Sequence, residues 1–195
     1  MTPLDKDSIF KEYGLNNDEY LKFLNAIYTS LYRNKEYSFG IRIDNSKNAN
    51  KVMRHCGYLI MSMLPYELRD KISFCSRSVP DDAKITVQIL QEKDPEKTDI
   101  TYDISKCECL VNNANIEIID FYLTDLLSVS NDALKDYFDM FLDFKSKINI
   151  SKDSEEEYII LKLWKLSEDP SLFASETAEA QLTFIRDVFS LPAAN

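Results

Sequence analysis

The stretch YSFGIRIDNSKNANKVMRHCGYLIMSMLPYELRDKISFCSR, residues 37–77, decides the fold class of this chain. It begins with an alternating β-prone run at residues 37–43. A helix is predicted over residues 49–64, because apolar side chains recur at helical spacing and Pro65 disfavours helical geometry in the residue before it. A second β-prone run follows at residues 72–77. A strand, a helix and a strand in this order predict an α/β (or α+β) fold with a partly parallel sheet.

The flanking sequence extends this unit on both sides. Residues 17–33 carry apolar side chains at helical spacing, and residues 84–91 alternate as a half-buried strand does. The run ITYDISKCECLV, residues 100–111, is interpreted as one strand or as a pair broken near Ser105 and Lys106. We therefore expect a small sheet of three to five strands flanked by helices.

From about residue 115 the pattern becomes helical. Four successive segments show the 3.6-residue periodicity, and this part of the sequence predicts a helical layer or bundle. We therefore divide the chain into a sheet-containing region, residues 1–112, and a helical region, residues 113–195. The helical region is expected to pack on the first region as one compact body.

Composition limits the kinds of partner. The chain carries 33 acidic and 23 basic residues, for a net charge of −10 at pH 7. Since phosphate binding depends on clustered Lys and Arg, we expect no direct binding to nucleic acid phosphates and none to an anionic membrane.

The first residues lack the basic and apolar regions of a signal peptide, and no stretch approaches 18 uninterrupted apolar residues. These features predict a cytoplasmic protein with reduced cysteines.

Glycine is scarce and dispersed. The three glycines are Gly14, Gly40 and Gly57, and none lies near another. Phosphate-binding loops, dinucleotide turns and hydrolase nucleophile elbows need clustered glycines, because the backbone must turn sharply or approach the ligand closely. The sequence leaves catalysis open, and we assign no catalytic residue and no cofactor.

The junction LPYELRDKISFCSR, residues 64–77, contains a helix stop at Leu64-Pro65, the pair Leu68-Arg69, and a strand that begins Ser73-Phe74. In this order it resembles a segment of bacterial GTPase-associated adaptor proteins of conflict and defence systems. The resemblance covers about residues 20–90. It implies an adaptor that links a GTPase to other components, and it carries over no catalytic residue.

Two features of the sequence invite a chemical interpretation. His55 is the sole histidine and lies beside Cys56, but neighbouring helical side chains point about 100° apart and do not meet. We interpret His55 as a residue at the flank or solvent edge of its helix, with a pairing to a distant cysteine left open.

Cys107 and Cys109 would lie on one face of a strand, whereas structural zinc sites use four ligands in paired spacing. Core packing explains these two thiols better, and we predict no metal site.

The best-supported ligand site lies where two strands of the predicted sheet end. If the sheet is parallel across the second helix, the loops after both strands lie at its carboxyl edge, where open α/β sheets bind ligands. This argument selects a rim of polar residues: Asp44, Asn45, Ser46, Lys47, Arg77 and Ser78.

The helical region is rich in aromatic side chains. Most of them are expected in the core, and the surplus is expected to leave an apolar patch of the kind that marks protein interfaces. The leading hypothesis is a non-catalytic protein-interaction or adaptor module, with a GTPase or an effector as its partner. Two alternatives stay open. One is an enzyme or a nucleotide- or sugar-phosphate-sensing domain that uses the carboxyl edge, and the other is an acidic DNA mimic that inhibits a nucleic-acid enzyme.

Overall fold

A computed structural model of the chain describes residues 4–32, 36–44, 48–75, 85–91, 98–112, 114, 116, 120–148 and 154–191. Helices and strands of the first half follow one another in the order α1 (Lys6–Tyr13), α2 (Asn17–Tyr32), β1 (Phe39–Ile43), α3 (Ala49–Ser62), a 3-10 helix (Tyr66–Lys71), β2 (Ile72–Cys75), β3 (Ile85–Gln91), β4 (Ile100–Asp103) and β5 (Glu108–Val111).

The strands form one sheet in the order β2-β3-β1-β4-β5. The strands β1 to β4 are parallel, and β5 runs antiparallel along β4. This confirms the predicted α/β class with a partly parallel sheet. The run at residues 100–111, left open between one strand and two, is a hairpin with its turn at residues 104–107.

One face of the sheet packs against two helices. Phe23 of α2 contacts Phe39 and Tyr102, with ring centroids 6.0 and 5.7 Å apart. Gly57 of α3 faces the ring of Phe74 on β2. Since Phe39 and Phe74 both align with the same residue of β3, α2 and α3 cover the same face of the sheet.

Helix α2 lies at the centre of the molecule. All nine residues at positions 23–31 are buried, whereas a surface helix buries one stripe. The helix contacts β4 and β5, and it also contacts α4 (Asp120–Ser128) and α6 (Ser154–Glu168). At the boundary with α4, the rings of Tyr28 and Tyr122 lie 5.6 Å apart.

The helical C-terminal part is confirmed. Beyond α4 it consists of α5 (Asn131–Lys147), α6, α7 (Ser171–Ala174) and α8 (Ala178–Ser190). Trp164 of α6 packs on Tyr137 and Phe141 of α5, with ring centroids 5.0 and 5.3 Å apart. Side chains of both halves belong to one apolar cluster that extends from Ile9 to Trp164. The boundary between residues 112 and 113 stays a prediction.

Helix α1 was not predicted from the sequence. Asp5 accepts a hydrogen bond from the backbone N–H of Ser8, and Gly14 ends the helix with φ at 62°. Both are ordinary helix-end signals. The eight residues between them bury only Ile9 and Tyr13 as apolar side chains, which is too few to define a periodicity.

Candidate functional site

The carboxyl edge of the sheet has the strand directions that the predicted ligand site requires. Because β1 and β2 are both parallel to β3, their carboxyl ends lie at one edge, with β3 between them. Asp44 follows β1 at this edge, and its Oδ2 accepts a hydrogen bond from Ser105 Oγ at 3.4 Å. The other five predicted residues lie outside the described residues: Asn45, Ser46, Lys47, Arg77 and Ser78. The site therefore stays a prediction.

A second carboxylate at this edge, Asp103, was not singled out from the sequence. It ends β4 and is buried. Its Oδ1 accepts hydrogen bonds from the backbone N–H groups of Ser105 and Lys106, at 3.0 and 3.2 Å. This is the bonding of an aspartate that opens a turn, so Asp103 holds the β4–β5 hairpin. An aspartate two residues before the polar pair Ser105-Lys106 was the available signal.

The interpretation of Cys107 and Cys109 is partly corrected. Cys109 is buried on β5, as expected for a core residue, whereas Cys107 lies in the preceding turn with φ at 53°. Burial raises the pKa of the Cys109 thiol to about 12, so it stays protonated at neutral pH and is a poor metal ligand. Among the described residues, no group of three His, Cys, Asp or Glu side chains could hold a metal ion.

The prediction for His55 was wrong, because this side chain is buried rather than at the solvent edge. It lies between α1 and α3, with Nδ1 3.1 Å from the hydroxyl of Tyr13 and 3.6 Å from Glu12 Oε2. Burial lowers the pKa of His55 and raises that of Tyr13 to about 12. Its partners come from α1, the helix that the sequence did not reveal, which is why burial was not foreseen.

An apolar surface feature lies in the helical region. A groove of about 330 Å3 runs between α6, α7 and α8 and is lined by apolar side chains, which are Leu163, Leu166, Pro170, Phe173, Phe184, Ile185, Val188 and Phe189. We call it the C-terminal groove. Its volume is at the low end of the range for small-molecule pockets, and its open apolar walls suit a peptide side chain.

Helix α8 carries two apolar stripes. Phe184 is buried against the rest of the layer, with its ring 6.3 Å from that of Phe173. Leu182, Ile185 and Phe189 are 63%, 40% and 86% exposed. Their spacing of three and four residues puts them on one face of the helix. Among the side chains described in the helical region, the expected aromatic surplus is thus present in Phe189, while Phe138, Phe141, Trp164 and Phe184 are buried.

The charges around the C-terminal groove are mostly negative at the surface. Lys162 and Lys165 are buried and paired, the first with Glu176 and the second with Asp125 and Glu168. The exposed charged side chains of the described residues 166–191 are Glu168, Asp169, Glu179 and Arg186, and Glu176 and Asp187 are half-buried. The surface around the groove therefore favours a cationic partner.

Comparison of the chain with protein-family models, with curated proteins and with solved structures finds no match. In the part of the chain that the structure describes, no helix is both long and apolar enough to cross a membrane. The four cysteines form no disulfide.

Proposed function

We propose that the protein is a non-catalytic interaction module that binds a basic amphipathic helix of a partner protein in the C-terminal groove. The observation that carries this proposal is the outward stripe of α8, where Leu182, Ile185 and Phe189 are exposed at helical spacing. Exposed apolar side chains of this size are costly in water unless a partner covers them. A helix laid in a groove covers such a stripe with residues at i, i+3, i+4 and i+7.

The charge of the partner follows from the surroundings of the groove. Lys162 and Lys165 are buried in ion pairs. Outside these pairs, the exposed charges of residues 166–191 are Asp169, Glu179 and Arg186, so the balance is negative. A partner helix with Lys or Arg beside its apolar face would meet opposite charges, whereas a second copy of this chain, at net charge −10, would meet its own. We therefore favour a basic partner over self-association.

The class of partner is a further part of this proposal. The resemblance at residues 64–77 favours a GTPase or an effector of the same system, with both proteins in the cytoplasm. The alternatives that use the carboxyl edge or DNA mimicry stay predictions, because the groove bears on neither.

A direct test uses two synthetic helical peptides with the same leucine face, one with lysine and one with glutamate on the polar face. Binding to the full chain is measured by fluorescence anisotropy. We expect the lysine peptide to bind at least about tenfold more tightly than the glutamate peptide, a difference of roughly 1.4 kcal/mol. Phe189→Ser should weaken the binding of the lysine peptide by a similar factor, since buried aromatic anchors contribute most of the binding energy of an interface.

The matched control is Met140→Ser, which changes an exposed apolar residue of α5 outside the groove. It should leave peptide binding unchanged. Equal binding by the native chain and Phe189→Ser would reject the groove as the docking site. Light scattering tests self-association. A concentration-dependent dimer that Phe189→Ser abolishes would show that a second copy of the chain, and not a partner helix, occupies the groove.

A further inference from the structure

A second cleft, separate from the C-terminal groove, lies where the two halves of the chain meet. It has a volume of about 260 Å3 and is formed by α3, the 3-10 helix and α5. Tyr58, Met61 and Ser62 come from α3, Tyr66 and Arg69 from the 3-10 helix, and Leu134, Lys135 and Phe138 from α5. Two cationic side chains therefore share a small cleft with apolar and aromatic walls. We call it the Arg69 cleft.

The guanidinium of Arg69 is held in a defined position. Its Nε donates a hydrogen bond to the carbonyl of Leu64 at 2.9 Å, at the end of α3. Its Cζ lies 4.4 Å from the ring centroid of Tyr66 and 5.6 Å from that of Phe138. These contacts hold the side chain, which is half-buried, in one position.

The contacts that hold Arg69 use one of its five N–H donors. The hydrogen bond to Leu64 comes from Nε, and no described residue accepts a hydrogen bond from the Nη groups. Among the described residues, no carboxylate forms an ion pair with Arg69. The terminal Nη groups are thus a preorganised fork of the kind that binds carboxylate or phosphate through two parallel hydrogen bonds.

Lys135 supplies a second cation at the rim of the cleft. Its Nζ lies 3.0 Å from Asp139 Oδ2, one turn further along α5, and both side chains are exposed. An exposed pair of this kind is weak, so Lys135 can exchange Asp139 for a ligand anion at little cost. Arg69 itself forms no ion pair with a described residue, although the chain has a net charge of −10.

We propose that the Arg69 cleft binds a small oxyanion attached to a planar or apolar body, such as an aromatic phosphate monoester or an aromatic carboxylate. The oxyanion binds the Nη groups of Arg69, with Lys135 as the second cation. The apolar body lies against Met61, Leu134 and Phe138. The volume admits one ring and its anionic group, and it excludes a dinucleotide.

The test is a titration of the native full chain, followed by 1H–15N NMR, with phenyl phosphate, benzoate, inorganic phosphate and phenol. We expect phenyl phosphate to shift the Arg69 Nε–Hε signal and the amides of α3, the 3-10 helix and α5 that line the cleft. Phenyl phosphate should bind at least about tenfold more tightly than phenol, which lacks the oxyanion. Inorganic phosphate should bind more weakly than phenyl phosphate, because it leaves the apolar wall uncovered.

The variants separate a ligand site from a structural arginine. Arg69→Lys keeps the charge but loses the planar fork of N–H donors. It should weaken the binding of phenyl phosphate by about fivefold or more. Arg54→Lys makes the same change at an exposed arginine of α3 that does not line the cleft, and as the matched control it should leave binding unchanged. If Arg69→Lys lowers the melting temperature, the Arg69 Nε–Hε shift in the native chain still decides the question. Equal shifts with phenol and phenyl phosphate, or shifts at exposed Lys and Arg residues outside the cleft, would overturn the proposal.

Discussion

The neighbours of Gly40 on β1 leave no room for a side chain. A Cβ added there would lie 2.6 Å from Leu90 Cδ1 and 2.9 Å from Thr98 Oγ1. Contacts this short force a shift of the sheet or of a buried side chain. We expect Gly40→Ala to lower the free energy of unfolding by about 1–3 kcal/mol, measured by urea denaturation.

Gly57 on α3 is the matched control for that prediction. An added Cβ there would meet the ring of Phe74 at 3.8 Å, an ordinary contact. Because alanine is favoured over glycine in a helix by up to about 1 kcal/mol, Gly57→Ala should be neutral or stabilising. Equal losses for the two variants would contradict the close packing inferred at Gly40.

His55 makes stability depend on pH. Burial lowers its pKa in the folded state below the ordinary value of 6.5, with Glu12 opposing this shift and Lys51 and Arg54 adding to it. As the pH falls, the unfolded chain therefore binds the proton first, and the free energy of unfolding decreases below about pH 6.5. We expect His55→Gln to show a smaller loss of stability between about pH 7 and pH 5, measured by urea denaturation.

Glu12→Gln tests the same cluster in the opposite direction. The carboxylate of Glu12 favours the charged histidine, so its removal should lower the pKa of His55 further and steepen the loss of stability at acidic pH. If the free energy of unfolding falls equally with pH in the native chain and in His55→Gln, this histidine does not control the pH dependence of stability.

At the scale of elements, α1 is joined to the helical region by one buried lysine. Lys6 is 6% exposed, and its Nζ donates hydrogen bonds to the carbonyls of Leu127 and Val129, the second at 2.8 Å. These carbonyls lie at the C-terminal end of α4, where a positive charge is favourable. We expect Lys6→Met to lower the free energy of unfolding by about 1–3 kcal/mol, because it removes the lysine donor from two partly buried carbonyls.

The control for Lys6 is an exposed lysine of the same helix, Lys11. Lys11→Met should change stability by less than about 0.5 kcal/mol. Hydrogen exchange should show faster opening of α1 in Lys6→Met alone. Unchanged exchange in α1 would mean that the contact with α4 does not hold this helix.

Helix α8 shows what periodicity reveals about an element and what it leaves out. Apolar residues at positions 182, 184, 185, 188 and 189 predict a helix, and the helix is present. The periodicity cannot separate the stripe with Phe184, which is buried, from the stripe with Phe189, which is exposed. That distinction depends on where α6 and α7 lie, which a local pattern does not contain.

At the scale of the whole molecule, α2 makes the two halves depend on each other. Its residues 23–31 are all buried, and Tyr28 contacts Tyr122 of the helical region. The isolated fragment 1–112 would expose that side of α2 to water. We expect the full chain to unfold in one cooperative urea transition and the fragment to bind a hydrophobic dye and lack a near-UV circular dichroism signal.

The result for the fragment also tests the proposed division of the chain. A cooperative transition of the isolated fragment, with the near-UV signal retained, would establish residues 1–112 as an independent domain. Loss of structure in the fragment would show that the boundary near residue 112 separates two patterns of secondary structure within one folding unit.

Some features of the carboxyl edge followed from local pattern and some did not. The strand–helix–strand order at residues 37–77 predicts parallel strands, and β1 and β2 are parallel. The insertion of β3 between them was not predicted, because strand order depends on pairing between distant segments. The separation between Asp44 and the end of β2 along the sheet edge therefore could not be predicted from the sequence.

The sequence by itself determined the α/β class, the helical C-terminal part and the acidic charge, since hydrophobic periodicity and composition are local properties of the chain. The tertiary structure alone decided that His55 is buried against α1, that residues 23–31 of α2 are buried on all sides, and that Arg69 lies in a cleft with residues of α5. Each of these depends on which distant segments meet, because the burial of these side chains arises from such contacts. The same reason explains why the outward stripe of α8 became visible only in the fold.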